Sequence, residues 1–251
     1  MLTHPILDQL LDMKLIGMHR ALTEQMQMND PDPMSFEERL GLLVDREATE
    51  RADRRLQYRL RKARLKQHAC VEDIDYRHRR GLDKRLMRQL TTCEYLDRQL
   101  NVLITGPAGV GKTWLACALA HKACRDGYTA CYLRLPRLTQ DLAIARADGR
   151  YTKLLRAYAR TDLLILDDWA IVPMNEETRR DLLEILDDRH NRRSTLVTSQ
   201  LPVPKWHEYL AEPTIADAIL DRLVHNAYRL DLKGESMRKT NANLTTATAT
   251  K

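Results

Sequence analysis

Long apolar runs are absent from this 251-residue chain. No stretch approaches the roughly 20 apolar residues a membrane-spanning helix needs, so a helical membrane protein is excluded. The N-terminus carries neither a basic start nor an extended apolar segment, and no secretory signal is expected. Cysteine is sparse. The five present include no C-x-x-C pair, which argues against a disulfide framework and for a reducing, cytoplasmic setting. Internal repeats are missing as well. Proline is absent between Pro33 and Pro107, leaving a long stretch free to be helical. The 43% hydrophobic content excludes wholesale disorder, and the length suits one or two domains.

What is abundant is positive charge, and it is concentrated. The net charge is +6. Residues 51–66 carry eight basic side chains (Arg51, Arg54, Arg55, Arg59, Arg61, Lys62, Arg64, Lys66) against the single acid Asp53, a local +7 that exceeds the total. The basic character is therefore one device, and a block this dense reads as a footprint for a phosphate backbone. Tyr58 is the only aromatic nearby. Contact with duplex backbone is thus favoured over base stacking on single strands. Arg137, Arg150 and Lys153 are weaker candidates for the same job.

Ile6, Leu7, Leu10, Leu11 and Leu15 recur at helical spacing, with Gly17 as a stop. Residues 18–28 suit a second helix, closed by the breaker Asn29-Asp30-Pro31-Asp32-Pro33. Ser35 and Glu38 form a capping box that opens a helix from about Ser35 to about Lys66. Residues 67–100 read as a connector without strands, in which Ile74 and Tyr76 could cover a nucleotide base. From Asn101 onward short strands (101–104, 130–135, 163–166, 195–198, 228–232) alternate with helices (114–124, 137–147, from Glu176, 215–224), the pattern of a parallel sheet. The expected layout is a small all-α domain over 1–68, an α/β core over 69–240 and a disordered tail over 241–251.

Gly106 to Thr113, GPAGVGKT, fits G-x-x-x-x-G-K-[ST] and lies between a strand and a helix, as a phosphate-binding P-loop must. The loop residues Gly106, Pro107, Ala108, Gly109, Val110, Gly111, Lys112, Thr113 and Trp114 would surround the phosphates at the helix N-terminus, with every one but Pro107 offering a backbone N–H. Lys112 would reach the β- and γ-phosphates, and the Thr113 hydroxyl would hold Mg²⁺. The apolar run 163–166 ends in Asp167-Asp168, a Walker B pattern. Asp167 would share Mg²⁺ with Thr113, and Asp168 would serve as the base or orienting group for the attacking water. Thr198 and Ser199 end the next strand, and either could sense the γ-phosphate. Arg222 is open to two readings, a surface arginine or a donor supplied in trans to a neighbour's nucleotide. Cys117, His121 and Cys124 share a helical face but lack a fourth ligand, and packing is expected there. Trp206, His207 and Tyr209 are also read as packing. A metabolic P-loop kinase would leave the basic block unexplained.

The runs NVLITGPAGVGKTWLACALAHKAC, LLILDDW, STLVTSQLP and ADAILDRLVHNAYRLDLKGESMRK, with DPDPMSFEERLGLLVDRE and ACVEDIDYR, resemble IstB-type transposition helper ATPases. The central motifs are shared with DnaC-type helicase loaders; the N-terminal stretch and SQLP-x-x-x-W favour IstB. The resemblance implies an AAA+ P-loop NTPase core behind a helical N-terminal domain. It also implies ATP-dependent self-assembly, as a ring or spiral on duplex DNA, and stimulation of a partner transposase, with helicase loading as the alternative. It places an arginine finger at Arg222, a sensor at Thr198 or Ser199, and a further nucleotide-site arginine at Arg238. It also marks a departure: Ala170 stands where the family usually has glycine. A transposase proper is disfavoured, since Asp167 and Asp168 serve the nucleotide and no spaced acidic triad is evident.

Overall fold

Helix α1 spans Pro5–Asp12, α2 Ile16–Gln27 and α3 Phe36–Ala63. This computed structural model describes residues 5–28 and 34–237; the Asn29–Pro33 breaker, Arg238 and the tail lie outside the described residues. By packing, the chain divides into two compact units, Met1–Tyr58 and Arg59–Lys251.

The capping box at the head of α3 is made. Ser35 N–H donates to Glu38 Oε2 (2.8 Å) and Glu38 N–H to Ser35 Oγ (3.2 Å), satisfying two amides the helix leaves free. The helix stops at Ala63, earlier than expected, because Arg64 takes a left-handed φ of +51°. Gly17 does not end the first helix. It lies buried within α2, where an added Cβ would come within 2.6 Å of Glu47 Cα. The missing side chain is what lets α2 approach α3. Glu47, itself buried, accepts from Gly17 N–H (2.7 Å) and Met18 N–H (3.2 Å) at the start of α2. Arg51 meets its charge at 2.7 Å.

In the second unit a 3₁₀ turn at Val71–Asp73 precedes α4 (Lys84–Thr91) and α5 (Glu94–Asp97). Then come β1 (Asn101–Thr105), α6 (Lys112–Arg125), β2 (Ala130–Arg134), α7 (Leu135–Ala147), α8 (Tyr151–Arg160) and β3 (Leu163–Trp169). The chain continues through α9 (Glu176–Arg189), β4 (Ser194–Ser199), α10 (Trp206–Leu210), α11 (Pro213–Val224) and β5 (Ala227–Asp231). The five strands form one parallel sheet in the order β2-β3-β4-β1-β5. The central strands β1 and β4 are buried at every position, as expected for strands covered on both faces. Leu103, Leu164, Leu166 and Val197 pack with apolar residues of α7 to α11 into the main core. Helix α8 has no counterpart in the sequence reading, and β3 runs on through both acids to Trp169.

Two features set the strand ends. Asn175 Oδ1 accepts from Thr178 N–H (2.8 Å), capping α9 as its sequence suggested. At the carboxyl end of β3, Asp168 and Ala170 both take φ of +62°, and the pairing of β3 with β4 shifts between Leu166 and Trp169. Asp tolerates a left-handed backbone better than most residues, whereas Ala does so at a cost of about 1 kcal/mol. Glycine, with no Cβ, would take this conformation without that cost. Ala170→Gly is expected to raise stability by about 1 kcal/mol, measured as a higher denaturation midpoint; an unchanged or lower midpoint would contradict it.

Candidate nucleotide site

All parallel strands deliver their carboxyl ends to one edge of the sheet, where ligands of such folds sit. The loop after β1 opens there. Gly109 has φ of +84°, and Ser236 occupies the space its Cβ would need. Gly111 has φ of +95° and sits against the Arg80 guanidinium, 2.5 Å from where a Cβ would stand. The loop is thus held from outside by the stretch after β5: Leu232 N–H donates to Thr105 O (2.8 Å), and Met237 N–H donates to Gly109 O (3.0 Å).

A cavity of about 560 Å³ lies over this loop. Its walls include Ala108, Gly109, Gly111, Lys112, Thr113 and Trp114, with Arg134, Asp168 and Gln200 opposite. The Lys112 ammonium donates to Gly106 O and Pro107 O, both at 2.7 Å. Burial lowers its pKa, and Asp167 and Asp168 oppose that. The Thr113 hydroxyl donates to the Asp167 carboxylate, at 2.9 Å from Oδ1 and 3.1 Å from Oδ2. A hydroxyl and a fully buried carboxylate converging in this way are the hard oxygen donors that suit Mg²⁺.

Asp167 is held by two more hydroxyls. Thr198 Oγ1 donates to Oδ1 and Tyr132 Oη to Oδ2. Burial, then the bond to Asp167, pushes the Tyr132 phenol up, so it stays a donor. Thr198 Oγ1 also accepts from Asp168 N–H (3.3 Å). Ser199 is turned elsewhere, donating to Trp169 O (2.9 Å) and accepting from Leu201 N–H (3.0 Å). Of the two sensor candidates, Thr198 is therefore the one that lies on the acids. The Asp168 carboxylate accepts from Arg134 Nε at 2.7 Å. Behind the acids, Trp169 packs on Trp206, ring centres 5.1 Å apart, and Trp206 Nε1 donates to Leu201 O (2.9 Å). The tryptophan of SQLP-x-x-x-W thus buttresses the end of the Walker B strand.

Arg222 does not enter this cavity. Its guanidinium pairs with Asp187 (2.7 Å) and donates to Ala218 O (2.8 Å). Its carbonyl accepts from the Asn101 side chain (2.8 Å) at the first residue of β1. The loop follows the last residue of that strand, roughly 13 Å away along five residues. Arg222 thus belongs to the opposite edge of the sheet from its own P-loop. Ile74 and Tyr76 do not line the cavity: Ile74 is buried and Tyr76 lies under Lys84. Gln67, Asp73 and Asp75 form that wall. His121 faces Cys70 Sγ at 3.8 Å, while Cys117 and Cys124 are buried.

The basic residues separate into groups. Arg51 is engaged by Glu47. Arg54 and Arg55 are exposed. Arg59 Nε donates to Cys124 O (2.8 Å) near the end of α6, a favourable place for a cation. Arg61 and Lys62 each have an interaction of their own. Lys66 lines the nucleotide cavity. Arg64, Arg137, Arg150 and Lys153 line one groove of about 460 Å³, although Arg150 pairs with Asp148 and Arg137 approaches Asp141 at 4.0 Å.

Sheet order and the loop–acid pairing define a P-loop nucleotide-binding protein of AAA+ architecture. Residues 8–245 match the IstB-like ATP binding protein family, and the chain belongs to that family. It is 55% identical over 239 residues to the insertion sequence ATP-binding protein y4pL of Sinorhizobium fredii, covering 95% of this chain and 98% of the relative. It is 50% identical over 216 residues to the insertion sequence IS1162 ATP-binding protein of Pseudomonas fluorescens, covering 82% and 94%. Among solved structures it resembles DnaI (TM-score 0.56, 20% identity, 66% of this chain and 91% of that one). It also resembles the DnaC helicase loader (TM-score 0.53, 18% identity, 66% and 97%). At those identities the likeness is one of fold. Among the described residues no helix is long and apolar enough to cross a membrane.

Sequence reasoning did not single out Tyr132, Arg134 or Arg80. Tyr132 and Arg134 are two apart on β2, hence on one face of the strand, but only the pairing of β2 with β3 brings them to the acids. Arg80 is one of three arginines in Arg77-His78-Arg79-Arg80, and nothing local distinguishes it.

Proposed function

We propose that this protein is a Mg²⁺-dependent ATPase that assembles with itself on duplex DNA and recruits a partner transposase. The observation that carries the reading is the convergence of Lys112, Thr113 and Asp168 on one cavity at the end of β1 and β3, with the buried Asp167 bonded to Thr113 behind it. The relatives named for insertion sequences favour a transposase as partner over a replicative helicase.

Lys112 and the loop amides neutralise the phosphates. Thr113 and Asp167 would hold Mg²⁺, which when bound would offset the charge of the phosphates. Asp168 orients a water for attack on the γ-phosphorus and takes its proton as the bond to ADP breaks; Thr198 fixes both acids. Arg134 must yield its hold on Asp168 for that role. Arg222, at the far edge of its own subunit, suits a site completed by a neighbour. Arg238 remains a candidate for the same site.

The candidates for DNA contact are the residues of the basic block, with Arg54 and Arg55 foremost; within the second unit, the groove of Arg64, Arg137, Arg150 and Lys153 is a separate candidate. The test is a paired charge reversal. Arg54→Glu with Arg55→Glu should lower duplex affinity at least about 100-fold at physiological salt and leave ATP affinity unchanged. Wild-type binding should fall steeply as salt rises. Undiminished DNA binding by the double variant would refute the assignment.

A further inference from the structure

The nucleotide cavity holds a second buried cation besides Lys112. Arg80 is only 2% exposed. Its Nη1 donates to Val110 O (3.0 Å) and contacts Met237 Sδ (3.1 Å), and its Nη2 donates to Asp75 O (3.2 Å). Among the described residues its Nε has no partner. Every acceptor is neutral, and no ion pair joins Arg80 to any described residue. Burial lowers the pKa of the guanidinium, which Asp75 only partly offsets.

Burying a cation without an anion is costly. Arg189 shows what a purely structural buried arginine looks like in this molecule. Its guanidinium is shared among three carbonyls and a hydroxyl, and none of its nitrogens is left over. Arg80 differs in its orphaned Nε and in its place. It rests on Gly111, immediately before α6, whose N-terminus favours anions. One side of the guanidinium is tied to the phosphate loop through Val110. The other is tied to Asp75, on the wall formed with Gln67 and Asp73. Between the base and the terminal phosphates of a nucleotide lie the ribose and the α-phosphate.

We propose that Arg80 is a nucleotide-binding residue whose guanidinium contacts the α-phosphate, supplying from the same subunit a contact that Lys112 does not make. This rests on the P-loop reading given under Proposed function. A planar guanidinium suits a phosphate, to which it can donate two parallel bonds. The contact serves ATP and ADP alike, so Arg80 sets affinity for the nucleotide and not the choice between them.

The test is titration calorimetry of full-length wild type, Arg80→Met and Arg80→Lys with ATP, ADP, AMP and adenosine, beside thermal melts with and without ADP. Arg80→Met keeps the bulk and removes the charge. It should weaken ATP, ADP and AMP about tenfold to 100-fold and leave adenosine unchanged. The ligand-free variant should melt no lower than wild type, and its gain in Tm with ADP should shrink. Arg80→Lys should fall between the two. Wild-type ADP affinity in the methionine variant, or a large drop in its ligand-free Tm with affinity unchanged, would overturn the proposal. If Arg80→Met does not fold, Arg80→Lys decides: weakened ADP binding supports the contact and undiminished binding refutes it. A wild-type protein that binds no ATP would instead defeat the P-loop reading.

Discussion

Lys112→Ala should lose ATP affinity by about two to three orders of magnitude while the fold is retained. Among the described residues the ammonium donates to Gly106 O and Pro107 O of its own loop. Gly106 is half-buried and Pro107 exposed, so water can replace the lost donor and stability should change by no more than about 1 kcal/mol. The triphosphate loses a charge-assisted contact to each of two phosphates. At about 1.5–3 kcal/mol per such bond, with 1.4 kcal/mol per tenfold, the loss in affinity is at least about 100-fold. Calorimetric titration with ATP and a thermal melt separate the two quantities. A variant that binds ATP like wild type would show that the loop does not act as a phosphate cradle.

Arg189→Met should have the opposite profile, with a large loss of stability and no direct effect on the nucleotide. Arg189 is 1% exposed and lies in the last turn of α9. It donates to Tyr158 O (2.5 Å) and Thr161 O (2.7 Å) at the end of α8, to Ser194 O, and to Thr195 Oγ1 (3.1 Å) on β4. Burial pushes its pKa down to about 9. These bonds join α8, α9 and β4. Methionine fills the volume but leaves four acceptors without their donor, at about 1–3 kcal/mol for a single unsatisfied buried group. A loss of about 3–5 kcal/mol is expected by chemical denaturation. A loss below about 1 kcal/mol would mean that water or repacking replaces the guanidinium.

The contrast between these two positions shows what the sequence displays. Lys112 is legible because its motif is local: strand, glycine loop and helix follow one another within about 25 residues, and the chemistry needs that order. Asp167 and Asp168 are legible because an apolar strand ending in acids is a local pattern too. Arg189 looks like one more charged residue on a helix, because its four acceptors come from segments that meet only in the folded sheet. Tyr132 and Arg80 are hidden for the same reason. Gly17 was misread because a glycine can end a helix or admit a neighbouring backbone, and only Glu47 packed against it tells the two apart. The basic block reads as one stripe in sequence, but the fold distributes it: Arg51 to Glu47, Arg59 to the α6 terminus, Lys66 to the nucleotide cavity and Arg64 to a groove shared with Arg137, Arg150 and Lys153. Ala170, by contrast, was a departure visible in the sequence whose meaning came only with its backbone angle.

The most direct test of the central claim is the mass of the particle formed with duplex DNA, measured by analytical ultracentrifugation or electron microscopy. A discrete multi-subunit assembly should form with a slowly hydrolysed ATP analogue and be lost with ADP or with Lys112→Ala. Equal assembly on DNA in all three conditions would contradict the account.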